Sequence, residues 1–309
     1  MATDRALLTR LRVMAAKVET TTGTAEALTT AEGLYNVMDM SANPDIPPTE
    51  REGQGSLDDL APVHGPRKGV WQFKHEVVGL GSAGDPAWLT NFIGSCGFAL
   101  DTGVWKPSST DQTTLTLGAY IDGRFKSIAG AMGKVTFDFM AGKPVVGSYE
   151  YNGVWQAPSA VALLAPTYPT VIPPRWAGTA MTIGGTAYKI GKMQIVIDNT
   201  LTMREHNGND TGYHACQITR RKITVKVSPE AQALGTKDWY AAHVAGTEAA
   251  LSAAVGSSAN NIITFAAPKM VLLNPPQDED DGGIYRDALE FVCIRNTAAG
   301  DNSFSITAS

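Results

Sequence analysis

The side chains in this sequence most able to do chemistry are five histidines, three cysteines, six tryptophans and one acidic run. Their spacing argues against most of that chemistry. His64, His75, His206, His214 and His243 form no HExxH and no paired zinc spacing. His206, His214 and Cys216 lie close together, but they straddle an Asn207-Gly208 turn signal and are expected to decorate a hairpin. Cys96, Cys216 and Cys293 are odd in number, far apart and outside any CxxC pattern, so they are expected to be small buried hydrophobes. Reduced thiols fit a chain that folds in the cytoplasm.

The run Asp278-Glu279-Asp280-Asp281, followed by Gly282-Gly283, lacks the alternating ligands and closing Glu of a calcium loop and is expected to be a solvated turn between strands. Gly79 to Gly84 is glycine-rich and precedes a helical pattern, yet it does not match the dinucleotide spacing GxGxxG. No nucleophile elbow or Walker loop is present, and nothing singles out a carboxylate pair among the 30 acidic residues. The tryptophans Trp71, Trp88, Trp105, Trp155, Trp176 and Trp239 could stack on sugars; alternatively Trp71, Trp88 and Trp239 anchor a core. The sequence therefore predicts no catalytic, metal or cofactor-binding residue.

The elements that hold these residues are mostly strands. Period-two alternation marks Val70–Val77, Lys134–Phe139, Gln194–Asp198 and Lys222–Val227. A helix is predicted at Asp85–Ile93, with Asp85 as cap and Trp88, Leu89, Phe92 and Ile93 on one face. A second is predicted from Thr236 or Lys237 through Trp239 and Leu251 to about Val255, ending near Gly256.

The proline-dense stretch 157–178 reads as an extended connector between units at 1–156 and 179–309. In each unit a strand, a tryptophan-bearing helix and further strands follow in the same order. Trp88 and Trp239 are 151 positions apart (239 − 88), and the strand ends Val78 and Val227 are 149 apart (227 − 78). This near-constant offset points to an internal duplication. Residues 41–69 read as one long polar loop, expected to be mobile until bound. Its counterpart, His206–Gly212, is a short hairpin connection.

Charged residues are 18% of the 309, hydrophobic ones 43%, and 25 Lys+Arg face 30 Asp+Glu for a net charge of −5. That sign opposes tight general binding of nucleic acid. Arg5, Arg10, Arg12 and Lys17 interrupt any secretory h-region, and prolines hem in Val161–Ala165, so no membrane segment is expected.

The opening Ala16-Lys17-Val18-Glu19-Thr20-Thr21-Thr22-Gly23-Thr24 resembles that of tail tube proteins of long, flexible-tailed bacteriophages. So do Phe73 to Leu80, the helix ending Gly94-Ser95-Cys96-Gly97-Phe98, and Trp105-Lys106-Pro107-Ser108. Asp122-Gly123, Gly130 to Val135 and Ala141-Gly142-Lys143-Pro144 continue the pattern, which covers roughly residues 13 to 155.

The resemblance implies a mainly β fold with short flanking helices, as two tandem β-sandwich units whose inner sheets join a closed barrel in an assembled ring. It implies a homo-oligomer of trimeric rings with pseudo-sixfold symmetry, stacked head to tail, and no catalysis or cofactor. The expected partners are tape-measure protein and phage DNA in the bore without tight binding, and tail terminator and distal tail proteins at the ends. The expected location is the virion tail of a siphophage, assembled in the host cytoplasm.

With about four strands per unit, 24 strands spaced about 4.8 Å and tilted about 40° close at roughly 48 Å between backbones, leaving a bore of about 35 Å. A neutral to acidic lining would let DNA slide, and Asp138, Asp198 and Glu290 are the candidate lumen-facing residues. Asp45, Glu50, Arg51, Glu52, Asp58, Asp59 and Arg67 of the 41–69 loop are the candidate ring-stacking residues. The alternatives are another virion β-protein, such as a capsid decoration or baseplate component, or a carbohydrate-binding β-sandwich.

Overall fold

The structure is a computed structural model that describes residues 6–55, 58–179 and 181–309, so Arg5 of the N-terminal basic set lies outside the described residues. The first half carries β1 (Arg12–Val18), β2 (Val37–Asp45), β3 (Pro48–Arg51), β4 (Leu60–His64) and β5 (Lys68–Glu76), then a helical turn at Leu89–Ile93. It continues with β6 (Phe98–Asp101), β7 (Val104–Pro107), β8 (Leu115–Ile121), β9 (Arg124–Met140) and β10 (Val146–Ala160). The second half has β11 (Thr182–Ile183), β12 (Thr186–Ala187), β13 (Ile190–Glu205) and β14 (Tyr213–Pro229), then α1 (Trp239–Val244). β15 (Ala249–Val255), β16 (Ile263–Leu272), β17 (Gln277–Asp281), β18 (Ile284–Cys293) and β19 (Ser305–Ala308) complete it.

The four strands with the clearest alternation, now parts of β5, β9, β13 and β14, all belong to one long antiparallel sheet. Its order is β2-β5-β10-β9 in the first half and β13-β14-β18-β16 in the second, and β9 pairs with β13 to fuse them. β17 extends the outer edge of β18 beyond β16. Among the described residues β2, at one end, pairs with no strand except β5, so the sheet does not close into a barrel there.

One face of this sheet is apolar by period-two placement of Trp71, Phe73, Val135, Phe137, Phe139, Ile195, Ile197, Val225 and Phe291, all buried. A second layer covers it. β1, β8 and the start of β9 lie over the first half, and β15, the start of β16, β19 and β7 over the second. Phe265 of β16 meets Phe137 and Phe139 at centroid separations of 5.0 and 5.2 Å, and Phe92 of the helical turn meets Phe73 at 5.0 Å. The first helix forms where expected and buries Trp88, Leu89, Phe92 and Ile93. Asp85, however, accepts from Trp105 Nε1 at 2.9 Å instead of capping it.

Three expectations are corrected. The second helix covers only Trp239–Val244, capped by Asp238 accepting from the Ala241 N–H at 2.9 Å and ended at Gly246, where φ is +60°. Residues 249–255 are strand β15, with Leu251, Ala253 and Val255 buried against β16. An alanine-rich stretch fits either period, and pairing with β16 decides it.

Residues 41–69 are not a structureless loop. β2 continues to Asp45 against Lys68, and β3 pairs with β4 to make a projecting hairpin arm. Gly65 N–H donates to Pro47 O at 2.9 Å across its base. The acidic run is likewise a strand, β17, with the turn displaced to Gly282 and Gly283, both at positive φ. The second-half connection at His206–Gly212 is the short hairpin expected, closed by His206 N–H to Gly212 O at 3.0 Å.

Candidate functional surfaces

The three thiols and one of the five histidines are buried, whereas His64 and His206 are exposed. Cys96, Cys216 and Cys293 are free and buried; loss of solvent pushes their thiols up to about 12, 11 and 12, so they stay protonated. His75 is buried among Tyr35, Trp88 and Phe92, and desolvation lowers it to about 4, so it is neutral. His206 and His214 approach edge-on at 6.0 Å, and no cluster of three metal-ligating groups exists among the described residues.

All six tryptophans are at most 6% exposed, which removes the sugar-stacking set. The Gly79–Gly84 stretch is used in packing: Gly79 N–H donates to Asn261 Oδ1 at 2.8 Å and Gly81 N–H to Asn260 O at 2.9 Å. The acidic side chains of β17 serve local contacts. Asp281 binds Arg286 Nε at 2.8 Å, Asp280 caps the Gly283 N–H at 2.7 Å, and Asp278 accepts from the Tyr285 hydroxyl.

What remains open to solvent is the other face of the long sheet. A row of directly opposed residues crosses it: Glu76, Val146, Asp138, Gln194, Lys226 and Glu290, one from each of β5, β10, β9, β13, β14 and β18. Gln194 Nε2 donates to Asp138 Oδ1 at 2.8 Å, and Lys226 lies 3.8 Å from Glu290. Asp198 sits opposite Lys222 on the same side of β13 as Gln194. The structure therefore brings Asp138, Asp198 and Glu290 onto one polar face.

That face is balanced rather than acidic, since Lys74 pairs with Asp39 at 2.8 Å and Lys134 with Glu150 at 3.1 Å. It is also grooved. One cavity of about 440 Å³ runs between Lys74, Lys134 and Asp198, and another of about 560 Å³ between Met140, Lys192, Pro275 and Glu290.

The arm separates the other candidates into two groups. Asp45 and Lys68 pair at 3.1 Å at its base, where Arg67 reaches Asp210 of the β13–β14 hairpin at 3.4 Å. Glu50, Arg51, Glu52, Asp58 and Asp59 project beyond that base and are exposed, with Leu60 and Val63 exposed beside them.

Sequence reasoning missed one buried polar site. Glu19, inside the opening motif, accepts from Gly23 N–H at 2.8 Å, Gly130 N–H at 2.6 Å, Thr114 Oγ1 at 2.6 Å and Thr116 Oγ1 at 2.9 Å. It ties the N-terminal segment to β8 and to the β9 bulge, where Gly130 has φ of +58°. The signal available was a lone carboxylate in a threonine-rich, glycine-ended run.

A long antiparallel sheet with a polar grooved face and a projecting arm defines a mainly β protein. Residues 9–306 match the family described as phage tail tube protein, and the chain belongs to that family. It is thus a structural component of a phage tail. No curated protein sequence matches the chain significantly.

Proposed function

We propose that three copies of the chain close into a ring of pseudo-sixfold symmetry and that such rings stack head to tail as the tube of a long non-contractile tail, through which phage DNA enters the host. The observation that carries this reading is the repeated pairing order. β2-β5-β10-β9 and β13-β14-β18-β16 are connected alike, with Phe73 opposite Tyr149 in one and Val225 opposite Phe291 in the other. Two tandem units at 1–156 and 179–309, joined by the 157–178 connector, would then each lend four strands.

Asp138, Asp198 and Glu290 on the polar face would line the bore, where balanced charge neither holds nor strongly repels phosphate. Tape-measure protein would fill that bore before DNA does, with terminator and distal tail proteins closing the ends. The arm, carrying Glu50, Arg51, Glu52, Asp58 and Asp59 above a base at Asp45 and Arg67, would reach the adjacent ring. Two sheet edges, β2 and β17, that lack an outer strand partner among the described residues supply the drive, because ring closure satisfies them.

Cryo-electron microscopy of tubes grown from purified protein tests the reading. The expected result is three chains per ring with the Asp138 face toward an empty bore. Six chains per ring, or that face on the outside, would overturn it.

A further inference from the structure

We propose that the outer edge of β2 receives strand β17 of a second copy of the chain, in the register that β9 and β13 already use within one chain. The inference rests on the ring-forming reading above and names the joint that closes the ring.

Matching the Phe73–Tyr149 pair of the first half to the Val225–Phe291 pair of the second sets the register. Met38 lies opposite Lys74 and Val37 opposite His75, as Gln194 lies opposite Lys226 and Met193 opposite Val227. β2 therefore stands to β5 as β13 stands to β14. On the other side Asp138 lies opposite Val146, as Gln277 lies opposite Ala288. β17 therefore stands to β18 as the end of β9 stands to β10. Within the chain Asp138 faces Gln194, Phe139 faces Met193 and Met140 faces Lys192. Carried over, Gln277 faces Met38, Asp278 faces Val37 and Glu279 faces Asn36 of the next copy.

Charge supports the match. A groove of about 520 Å³ runs along the start of β2, lined by Arg10, Arg12, Tyr35, Val37 and Met38. Asp39 and Glu76 also line it, but Asp39 is held by Lys74. The incoming strand is the acidic run Gln277-Asp278-Glu279-Asp280-Asp281, whose Asp278 accepts from Tyr285, Glu279 pairs with Lys192 and Asp281 pairs with Arg286 within the chain. Asp278 would fall on the side of β2 that carries Val37, beside the arginines.

Both edges are guarded in the lone chain. Arg12 Nη1 donates to Met40 O at 3.1 Å and Lys126 Nζ to Ala42 O at 3.4 Å, which occupies main-chain carbonyls of β2. Charge along β17 and Pro275-Pro276 ahead of it resist indiscriminate pairing.

The test is a disulfide trap in the full chain. Met38→Cys with Gln277→Cys places two thiols directly opposite across the joint, and the three native cysteines are buried. On oxidation of assembled protein, covalent chains of two and three copies are expected on non-reducing gels. Met38→Cys with Asp281→Cys, four residues out of register, should give none. Tubes visible by negative stain but uncrosslinked in the first variant would overturn the joint and leave the tube reading standing. Wild-type protein that never forms rings or tubes would overturn both.

As a second readout on the native cysteine background, Arg10→Glu with Arg12→Glu should lower the assembled fraction at least tenfold in sedimentation. Adding Asp278→Lys and Asp280→Lys should restore it. Assembly unchanged by the arginine reversals would overturn the joint.

Discussion

Glu19→Gln is the most informative perturbation of the monomer. The carboxylate accepts two backbone N–H groups, from Gly23 and Gly130, and two threonine hydroxyls, with each oxygen serving one of each kind. An amide keeps one acceptor oxygen and turns its NH2 toward the other pair. The threonine there can rotate to accept, but the backbone N–H cannot.

One buried donor is thus orphaned, at about 1–3 kcal/mol, and the surviving bonds lose their charge assistance, at about 1 kcal/mol more. The sum is on the order of 3 kcal/mol, which for a chain of 309 residues lowers Tm by about 4–5 °C. Calorimetry at neutral pH measures the shift, and amide exchange at Gly130 should accelerate in the same variant. A Tm within about 2 °C of wild type would refute the reasoning, because the four distances would then report no net stabilisation.

Other expected outcomes follow from the same structure. His75 is lowered to about 4 from 6.5, so between those values the unfolded chain binds a proton that the folded chain refuses. Its contribution is complete above pH 6.5 and is lost as pH falls toward 4, by up to about 3 kcal/mol, and His75→Leu should flatten that part of a denaturation-versus-pH profile. An unchanged slope would exclude the assignment.

Replacing residues 48–64 by Gly-Gly should leave the monomer folded, since β2 and β5 pair below that point, and should abolish tubes while sparing rings; normal tubes would show that the arm does not stack rings. Converting Asp138, Asp198 and Glu290 to Lys should make tubes retain DNA at low salt and release it as salt rises, measured by co-sedimentation; equal behaviour of wild type would place that face outside the bore. Asp238→Ala should cost about 1 kcal/mol by uncapping α1 and leave assembly intact, checked by calorimetry and microscopy.

The strands that were legible are those with strict alternation and β-branched or aromatic residues. Val70–Val77 and Lys222–Val227 need no partner to declare their two faces. Short polar segments without that contrast were not legible. Pro48–Arg51 and Leu60–His64 carry exposed side chains on both faces, so nothing in their order distinguishes an arm from a loop. The acidic strand β17 failed for the same reason, and Ala249–Val255 because alanine suits helix and strand almost equally. Glu19 was invisible as a site because its four donors come from residues 23, 114, 116 and 130.

The amino-acid order alone determined a weakly acidic, β-rich chain, because composition and period-two patterning are local properties each segment carries with it. Tertiary structure decided which strands stand side by side. Pairing depends on main-chain groups common to every residue, so only the folded chain reveals that β9 joins β13, that Asp138, Asp198 and Glu290 share a face, and that β2 has one edge without a strand partner among the described residues.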